Sequence, residues 1–550
     1  MSFLDQIFAR SESSADQTLL TELRESGYLP VTGREFLNMI SQACAHLTSR
    51  GLKKGDRCVL LAANSIRWVA MDLAIMAEGM IVVPLYSRQA SSELVSMMKD
   101  CSPSLICCGD ETLRDSIVQH WPEAPPQALF EDIFASPVST LKNPQVQDSD
   151  VVAIIYTSGT SGEAKGVMLT AGNVAHILQC TSGQLDILMK CRPGQDRVYQ
   201  WAPLNFAAAW ITTLTGLLRG SSVFMNTDLT KLAGELRTVA PDYFVNVPAL
   251  LERVRKAVDE QLWKTAGVVR TVYLKAKAAY MCKQEGKATV SDSIWLAIAD
   301  AGVFPTIRKK MIGSNLKALI CGSAPLSVET QLFFMMLGIP VLQVYGLTET
   351  TGICTMDDPR QVEPGRVGPA ISGIDMKLAE NNEIVVRGPN IFSGYWNRPN
   401  ETAQVLREGW FHTGDQGEVN AAGNWKIVGR IKNLIILNSG HNIAPEPIED
   451  EILAHLPGAQ FVVVIGNGRS YLTLLITGDV SDLQVQSALD AVNATLPHYK
   501  QVRAFRIILE PFTIESGLLT ANGKLKRDSI PQRFQRQIEE MYTVQQSSTA

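Results

Sequence analysis

The chain has 550 residues, of which 46% are hydrophobic and 19% charged. One ordinary hydrophobic core does not extend over this length, so we expect two or more domains and exclude a mainly disordered chain. Fifty basic against fifty-five acidic side chains give a net charge of -5, which argues against a protein that coats nucleic acid.

Strand-like apolar runs alternate with helical patterns through most of the chain. Examples of the apolar runs are residues 57–62, 80–84, 104–108 and 151–156, and residues 91–100 have apolar side chains at helical spacing. This alternation predicts an α/β fold with largely parallel sheets.

Membrane and disulfide signals are weak in this sequence. The most apolar long stretch, residues 68–86, contains Asp72 and Glu78, so we interpret it as a buried helix that continues into a strand. The N-terminus lacks the pattern of a secretory signal, and the ten cysteines include no CxxC pair. We therefore expect a cytoplasmic protein, at most peripheral to the inner face of a membrane.

A long helical and basic region lies between residues 254 and 310. Counted from Arg253, it contains twelve Lys or Arg against five Asp or Glu. Two interpretations stay open: a solvated helical face, or a surface that approaches an anionic membrane or the phosphates of a ligand.

The composition changes again near residue 430. Short strand-like runs, such as residues 461–465 and 471–476, then alternate with helical segments. We predict a large N-terminal domain of layered α/β subdomains, residues 1–430, and a small C-terminal α/β domain, residues 431–550.

The first chemical motif follows the strand predicted at residues 151–156 and reads TSGTSGEAKG from Thr157. Hydroxyls, backbone N–H groups and a lysine in such a loop can surround a phosphate, and glycine allows close approach. It is not a Walker A loop, because Ala164 stands where that pattern needs a glycine before the lysine. Many loops of this composition are ordinary turns.

Six further motifs follow in order: CGSAP from Cys321, VYGLTET from Val344, GWFHTGD from Gly409, GRIKN from Gly429, SGHNI from Ser439 and ANGKLKR from Ala521. Their order and spacing resemble the adenylate-forming (AMP-binding) superfamily, which includes acyl-CoA synthetases, nonribosomal adenylation domains and firefly luciferase. The resemblance covers roughly residues 59–527.

The resemblance implies an ATP- and Mg²⁺-dependent enzyme. A carboxylate attacks the α-phosphorus of ATP to form an acyl-adenylate and pyrophosphate, and a thiol then displaces AMP. The large domain would bind ATP and the acid, and the small domain would be a mobile lid that rotates between the half-reactions. Such chemistry requires positive charge and oriented hydrogen-bond donors around two anions.

The resemblance also assigns nucleotide contacts in the large domain. The β- and γ-phosphates would be held by Thr157, Ser158, Gly159, Thr160 and Lys165. Adenine would stack on Tyr345 beside the backbone of Gly322, Ser323 and Ala324. Thr348 would contact the α-phosphate as a catalytic residue. Glu349, with Thr160, would hold Mg²⁺, a cation that prefers oxygen ligands.

Toward the C-terminus, the resemblance implies that Asp415 accepts hydrogen bonds from the ribose hydroxyls and that Arg430 contacts the ribose-phosphate side. Lys432 occupies the hinge position, and Lys524 would bridge the carboxylate and the α-phosphate in adenylation. The turn that enters the site for thioester formation would be Ser439, Gly440 and His441. Lys526 and Arg527 are expected to be solvated neighbours.

The acid pocket is expected to include Phe206, Ala207, Trp210 and Gly346. The small side chains at Ala207, Ala208, Ala209 and Gly216 have two open interpretations: space for an acyl tunnel, or ordinary packing at a helix start. Many relatives have a histidine where this chain has Asn205 and Phe206, which puts the gating of the tunnel in question. The aspartate that pairs with an amino-acid ammonium is replaced by Ala207, which argues against amino-acid substrates.

The long helical insertion between residues 248 and 316 looks like that of long-chain fatty acyl-CoA synthetases. We therefore predict a long-chain fatty acid–CoA ligase with coenzyme A as the acceptor. Transfer to an acyl carrier protein, an aryl or other hydrophobic acid, and a luciferase-like oxygenase stay open. A catalytically silent scaffold would be expected to lack Lys524, Glu349 or Asp415, and all three are present. The oligomeric state is not predicted.

Overall fold

The computed structural model describes residues 1–144, 146–158, 164–190, 196–264, 267–313, 315–520 and 523–543. The chain divides into two compact units. The first comprises Met1–Asp375, Val386–Phe411 and Ala421–Trp425, and the second comprises Met376–Val385, His412–Asn420 and Lys426–Ala550. The domain boundary predicted between residues 430 and 431 stays a prediction.

The first part of the chain, up to residue 170, contains these elements in order: α1 (Phe3–Ser13), β1 (Thr18–Arg24), β2 (Gly27–Thr32), α2 (Gly33–Ser49), β3 (Arg57–Leu61), α3 (Ile66–Ala77), β4 (Ile81–Leu85), α4 (Ser91–Cys101), β5 (Leu105–Cys108), α5 (Glu111–His120), β6 (Gln127–Leu129), α6 (Phe130–Ile133), β7 (Val151–Ser158) and β8 (Ala164–Thr170).

The middle part continues with α7 (Ala171–Met189), β9 (Arg197–Gln200), α8 (Ala207–Arg219), β10 (Ser222–Asn226), α9 (Leu232–Val239), β11 (Tyr243–Asn246), α10 (Pro248–Trp263), α11 (Gly267–Gln284), α12 (Val290–Ile298), α13 (Phe304–Met311), β12 (Ala318–Cys321), α14 (Val328–Met336), β13 (Val341–Tyr345) and β14 (Thr355–Met356).

The last part contains β15 (Asp375–Leu378), β16 (Glu383–Arg387), β17 (Gly394–Tyr395), α15 (Pro399–Val405), β18 (Leu406–Arg407), β19 (Trp410–Val419), β20 (Trp425–Arg430), β21 (Ile435–Ile436), β22 (Asn442–Ile443), α16 (Glu446–His455), β23 (Ala459–Ile465), β24 (Leu472–Gly478), α17 (Asp482–Asn493), β25 (Val502–Ile508), α18 (Ser529–Arg533) and α19 (Gln535–Thr543).

Two large sheets organise the first unit. One has eight strands in the order β14-β13-β12-β11-β9-β10-β1-β2, and the other has seven in the order β17-β8-β7-β4-β3-β5-β6. In the eight-stranded sheet the two end pairs, β14-β13 and β1-β2, are antiparallel and the others parallel. In the seven-stranded sheet the pairs β17-β8 and β8-β7 at one end are antiparallel, and the remaining pairs are parallel. These sheets confirm the predicted α/β class, because helices cover strands whose side chains are buried on both faces.

The apolar runs predicted as strands form β3, β4, β5 and β7, and residues 91–100 form α4. The apolar stretch at residues 68–86 is confirmed as a buried helix, α3, that continues into β4. Asp72, the acidic residue that interrupts this apolar stretch, is fully buried. An acidic residue within an apolar run therefore does not lie at the surface here but makes a polar contact inside the protein.

A smaller sheet, β23-β24-β25, forms the core of the second unit with α16 and α17. Strand β23 is antiparallel to β24, and β24 is parallel to β25. The remaining sheets are a five-stranded one, in which β15-β16-β19-β18 are in order and β20 pairs with β19, and the short pair β21-β22.

Local sequence signals set several helix starts. Thr170 begins α7 and Thr289 begins α12, each in a reciprocal pair with the side chain three residues later. Such capping boxes satisfy backbone N–H groups that have no partner inside the helix. Pro248 stands in the first turn of α10, where its missing N–H costs nothing.

One helical stretch of the described chain, Val290–Met311, is long and apolar enough to cross a membrane by length and composition alone. It joins α12 and α13 through a π turn, Ala299–Val303. Most of it is exposed, but Ala299 and Phe304 are buried in the core of the first unit. The helical pattern of residues 254–310 predicted helix here. It did not predict a stretch of membrane-spanning length, because acidic residues and Pro305 interrupt the apolar pattern.

Candidate active site

The predicted phosphate loop connects two antiparallel strands of the first unit, β7 and β8. Strands β7 and β8 place Thr157 directly opposite Lys165. Gly159 and Thr160 lie outside the described residues, as does the side chain of Ser158. The phosphate and Mg²⁺ contacts assigned to these three residues therefore stay predictions.

Lys165 lies in a defined environment on β8. Its ammonium forms an ion pair with Glu401 and lies 5.4 Å from the centroid of the Tyr395 ring. The Lys165 side chain is 22% exposed. The ammonium group that is predicted to bind phosphate therefore lies between a carboxylate and the face of an aromatic ring.

Glu349, the predicted Mg²⁺ ligand, contacts the same tyrosine. The Tyr395 hydroxyl donates a hydrogen bond of 2.8 Å to Oε1 of Glu349, and the backbone carbonyl of Glu349 accepts one from the Phe392 N–H at 2.9 Å. Tyr395 therefore joins two predicted site residues that are far apart in sequence. Tyr395 and Glu401 were not predicted, because the short strand β17 that places Tyr395 beside β8 has no periodic pattern.

The residues present fit a magnesium ion that is bound mainly through a nucleotide. Among the described residues, no group of three or more His, Cys, Asp or Glu is arranged to hold a metal. Mg²⁺ in nucleotide sites commonly takes one or two carboxylates, with phosphate oxygens and water as the other ligands. Glu349, oriented by Tyr395, supplies one such carboxylate.

The predicted adenine site lies at the carboxyl ends of two neighbouring parallel strands. Strand β12 ends at Cys321 and strand β13 at Tyr345, with Cys321 paired to Gln343. Ligands of α/β proteins commonly bind at this edge of a sheet. Tyr345 is largely buried, at 9% exposure.

Backbone constraints shape the segment after β12. A Cβ atom on Gly322 would lie 2.6 Å from Cγ2 of Val344, so no side chain fits there. Ser323 has a positive φ of 73°, a conformation that costs energy for a residue with a side chain. Ser323 and Ala324 are exposed. Their backbone is therefore held in a strained turn beside the end of β13.

The turn that carries Thr348 and Glu349 is fixed by contacts on its inner side. It forms a short 3₁₀ turn, Thr348–Thr350, in which the Thr350 hydroxyl accepts a hydrogen bond from the Leu347 N–H. The buried Asn390 amide donates to the Thr350 carbonyl at 3.3 Å. The Oδ1 atom of Asn390 has no hydrogen-bond partner among the residues that the structure describes.

Gly346 has a packing role in this turn. A Cβ atom there would lie 2.3 Å from the Gly352 carbonyl oxygen and 2.5 Å from Cα of Ile353. The space in front of Gly346 is occupied by the chain itself. Its predicted place in the acid pocket stays a prediction.

The predicted acid pocket begins at the N-terminus of α8. Phe206 precedes the helix and its ring centroid lies 6.0 Å from that of Tyr86. Asn64 holds the segment before it, since its amide donates to the Ala202 carbonyl at 2.9 Å and its Oδ1 accepts from the Leu204 N–H at 3.0 Å. Ala207 is buried.

Trp210 lies inside the core. It is 1% exposed, and its indole N–H donates a 2.9 Å hydrogen bond to Asp72 on α3. Burial raises the pKa of Asp72 to about 7, and the hydrogen bond from Trp210 opposes this shift. Within the described part of the chain, Oδ1 of Asp72 has no hydrogen-bond partner. A buried carboxyl with one open oxygen suits the neutral, protonated form, because burial disfavours the charged form.

At Gly216 the structure favours packing over acyl space. A Cβ atom there would lie 2.9 Å from Cγ2 of Val223. The absent side chain therefore lets α8 pack closely on β10 at this position.

In the second unit, four of the predicted residues form one charged cluster. Arg430 forms an ion pair with the buried Asp415 at 2.7 Å, and the Asp415 N–H donates to the Thr413 hydroxyl at 3.0 Å. Desolvation lowers the pKa of Lys432, as does Arg430, while Asp528 and Asp415 raise it.

Lys524 belongs to the same cluster. Partial desolvation by the surrounding protein lowers the pKa of Lys524, Arg430 lowers it further, and Asp415 opposes the shift. A cation near a second cation is easier to deprotonate. Binding of an anion beside it stabilises its charged form more than it would for a fully solvated cation. The side chain is nevertheless exposed at the tip of a turn.

That turn is held by its own backbone. The Thr520 N–H donates to the Lys524 carbonyl at 2.8 Å, and Gly523 has a φ of 72°, which favours glycine. A bridge between Leu519 and Leu525 closes the hairpin. Residues 521 and 522 lie outside the described residues.

The expectation that Arg527 is a solvated neighbour is wrong. Its guanidinium forms a two-pronged ion pair with Glu449 on α16, with one contact at 2.8 Å, and its side chain is 21% exposed. Glu449 is 5% exposed and also accepts a hydrogen bond from the Val464 N–H at 2.8 Å. A buried carboxylate requires such a partner, and Glu449 lies 78 residues away in sequence, where no motif indicates it.

The turn between β21 and β22 carries the residues predicted to admit the thiol. Gly440 has a φ of 80°, and a Cβ atom there would meet no atom within 4 Å. Ser439 and His441 are joined by a 2.9 Å hydrogen bond, and the His441 ring stacks on Tyr499 at 4.2 Å. Among the described residues, none crowds Gly440, and the roles of the three residues stay predictions.

Comparisons with known proteins cover nearly the whole chain. A family model described as AMP-binding enzyme matches residues 8–396, and one described as AMP-binding enzyme C-terminal domain matches residues 432–546. A long-chain-fatty-acid–CoA ligase of Mycobacterium bovis, FadD15, is 27% identical over 98% of this chain and 96% of its own length. A putative fatty-acid–CoA ligase of Mycobacterium tuberculosis, fadD11, is 30% identical over 72% and 74%.

The fold is shared with solved structures. The anthranilate CoA ligase AuaEII, solved in complex with anthranoyl-AMP, has a TM-score of 0.75 at 19% identity, with 97% of each chain covered. At this identity the likeness concerns the fold, which consists of a large N-terminal and a small C-terminal domain.

Proposed function

Because the chain belongs to the AMP-binding enzyme family, we propose that it is an AMP-forming acid–CoA ligase that uses ATP to activate a fatty, long-chain carboxylic acid. The observation that carries the proposal is the convergence of Lys165 and Glu349 on Tyr395. These two residues are predicted to handle phosphate and Mg²⁺, and one tyrosine joins them in the fold.

In the first half-reaction, two anions must meet: the carboxylate of the acid and the triphosphate of ATP. Lys165 supplies positive charge from a strand, and Glu349 would hold Mg²⁺, which when bound neutralises phosphate charge. Tyr395 orients both side chains. Positioning and charge neutralisation account for most of the catalysis of such transfers, because the protein performs little covalent chemistry itself.

Lys524 is proposed to meet the charge that develops between the carboxylate and the α-phosphate. A flexible, compact cation suits this role, and the nearby Arg430 increases the gain when an anion is present. Asp415 would bind the ribose hydroxyls through its two oxygens. Its ion pair with Arg430 holds that carboxylate in one orientation.

In the second half-reaction, the thiol of coenzyme A would displace AMP. The unfilled space at Gly440 supports a passage for the pantetheine arm, and the stack of His441 on Tyr499 supports the turn around it.

The choice of a fatty acid rests on relatives. FadD15 of Mycobacterium bovis is a long-chain-fatty-acid–CoA ligase and aligns with nearly this entire chain. Burial of each methylene contributes about 0.8 kcal/mol, so an apolar pocket of modest length distinguishes long acids from short ones. The buried Trp210, anchored by Asp72, would form part of the wall of such a pocket.

Mass spectrometry of the products from a panel of carboxylic acids tests this proposal. Each acid is incubated with ATP and Mg²⁺, with and without coenzyme A. Acyl-CoA formed from long-chain acids supports the proposal and ranks the chain lengths. An acyl-adenylate that persists with coenzyme A indicates an acyl carrier protein as the acceptor. Preference for aryl acids, or no adenylate from any acid, overturns the proposed substrate.

A further inference from the structure

Residues 263–310 are the part of the predicted insertion, residues 248–316, that runs from the end of α10 into α13, and one side of this part lies inside the protein. Four of its buried side chains belong to the hydrophobic core of the first unit. These are Tyr273 and Ala276 on α11, Ala299 in the π turn and Phe304 on α13. On α12 the partly buried Leu296 packs against the same core, so the opposite side of that helix faces outward.

The outer faces expose large apolar side chains. On α12, Val290, Ile294 and Ile298 are 80%, 55% and 45% exposed, and their spacing of four residues places them on one side of the helix. On and near α11, the exposed residues are Trp263, Val268, Leu274 and Met281. Single exposed apolar residues are common, but a repeated stripe on one helix marks an interaction surface.

The same insertion is strongly basic. Residues 263–310 contain nine Lys or Arg against three Asp or Glu, within a chain whose net charge is -5. Aromatic and basic side chains are also in contact: the Arg270 guanidinium lies 5.1 Å from the Trp263 ring, and the Lys275 ammonium 4.2 Å from the Trp295 ring. Exposed lysines elsewhere in the insertion are Lys264, Lys283, Lys287, Lys309 and Lys310.

We propose that the helical insertion binds the surface of a lipid bilayer that contains anionic lipids, with α12 lying along the surface. Helices with an aliphatic face and flanking basic residues insert that face about 5–10 Å into the headgroup boundary. Tryptophan favours this interface, and basic residues near an anionic leaflet are attracted to its negative surface potential. Both chemical features occur together on the insertion.

A spanning arrangement does not fit the same residues. Ala299 and Phe304 lie in the middle of the stretch Val290–Met311 and are buried in the core of the first unit. If this stretch crossed a bilayer, it would have to leave that core. Asp292 and Asp300 would also enter the hydrocarbon, where charged side chains are unfavourable. Peripheral contact keeps the core intact.

The surface is independent of the proposed catalytic site, so its test needs neither ATP nor an acid. The full chain is added to preformed vesicles, either of phosphatidylcholine alone or with about one third phosphatidylglycerol, and the bound fraction is measured by flotation. We expect binding to the anionic vesicles and release by high salt, because salt screens the lysine charges.

Two sets of variants separate the apolar and the charged contributions. One set carries Ile294→Ser and Ile298→Ser, and the other Lys283→Gln, Lys287→Gln, Lys309→Gln and Lys310→Gln. Each should reduce vesicle binding about tenfold or more. The matched controls are Leu483→Ser with Leu509→Ser, exposed by 85% and 95%, and a set of four lysines outside the insertion. That set is Lys53→Gln, Lys142→Gln, Lys377→Gln and Lys426→Gln.

Unchanged thermal unfolding midpoints show that the variants are folded. The proposal is overturned if the wild-type chain does not bind anionic vesicles. Equal binding to both kinds of vesicle, or equal losses in the control variants, also overturns it. Loss confined to the insertion variants supports it, whatever acid the enzyme activates.

Discussion

The two lysines that are predicted to meet negative charge are held in opposite ways. Lys165 lies on a strand of a large sheet, ion-paired with Glu401 and close to the face of Tyr395. Lys524 lies at the tip of a turn, near Arg430, and its pKa is lowered by partial desolvation. The first charge is fixed by the sheet, whereas the second is presented on a loop.

The two units also differ in how they bury a carboxyl group. The first unit contains a buried carboxyl, Asp72, that has a neutral hydrogen-bond donor, Trp210, as its partner. In the second unit the buried carboxylate Glu449 has a full cation, Arg527. A neutral pair costs little to bury, and a charged pair is costly to break. Loss of the partner is therefore expected to cost less for the carboxyl of the first unit than for that of the second.

The largest expected effect is that of Lys524→Ala. We expect adenylation to fall about 10³-fold, because a charge that stabilises the transition state is removed. Thioester formation from supplied acyl-adenylate should be largely kept. Each half-reaction is measured separately, with Lys526→Ala as the neighbouring control. Equal loss in both half-reactions would refute the role specific to adenylation.

Removal of the Arg527 cation, three residues after Lys524, should destabilise the second unit. Arg527→Met leaves Glu449 buried without its partner, which costs about 3–5 kcal/mol in free energy of unfolding. Denaturant titration of the full chain measures this loss. The double variant Arg527→Met with Glu449→Met should recover much of it. If the single variant is as stable as the wild type, the ion pair has no structural role.

In the first unit, near Lys165, Glu349→Ala should raise the Mg²⁺ concentration needed for half-maximal activity about 100-fold, because a direct oxygen ligand is lost. The measurement is a Mg²⁺ titration of adenylate formation at saturating ATP. Glu401→Gln is the comparison, since it changes a carboxylate that contacts Lys165 rather than the metal. An unchanged titration would remove Glu349 from the metal site.

Asp72 predicts a pH dependence of stability. Its pKa is about 7 in the folded chain and near the ordinary value of 3.8 when unfolded. Between these values the unfolded chain binds fewer protons, so stability falls as pH rises, by about 1.4 kcal/mol per pH unit. The stabilising effect of a protonated Asp72 is therefore complete below the unfolded pKa and lost above pH 7.

Asp72→Asn removes this titration but keeps an acceptor for Trp210. The stability of the variant relative to the wild type should thus increase between pH 4 and pH 7, as measured by denaturant titration at several pH values. A constant difference across this range would show that Asp72 is ionised when folded.

The smallest expected effect is that of Tyr395→Phe. Loss of the hydroxyl removes the hydrogen bond to Glu349 but keeps the ring beside Lys165. We expect about a tenfold weaker apparent affinity for Mg²⁺, as is common for residues that orient a metal ligand. Tyr395→Leu, which also removes the ring, should further weaken ATP binding. Identical effects of both variants would show that the ring contact is unimportant.

The motifs in the sequence predicted the chemistry, and apolar alternation predicted the α/β fold. Both kinds of information are local: the order of short motifs shows the family, and side-chain periodicity follows the helix or strand repeat. Within the second unit, the cluster of Asp415, Arg430, Lys432 and Lys524 also agrees with the residues that the motifs indicated.

Tertiary structure alone decided the partners of these residues. Tyr395 reaches Glu349 across 46 residues, Trp210 reaches Asp72 across 138, and Arg527 reaches Glu449 across 78. It also decided that Gly216 serves packing and that one stripe of α12 faces outward. A hydrogen bond or ion pair between distant segments leaves no periodic signal in sequence, because it depends on which strands and helices become neighbours after folding.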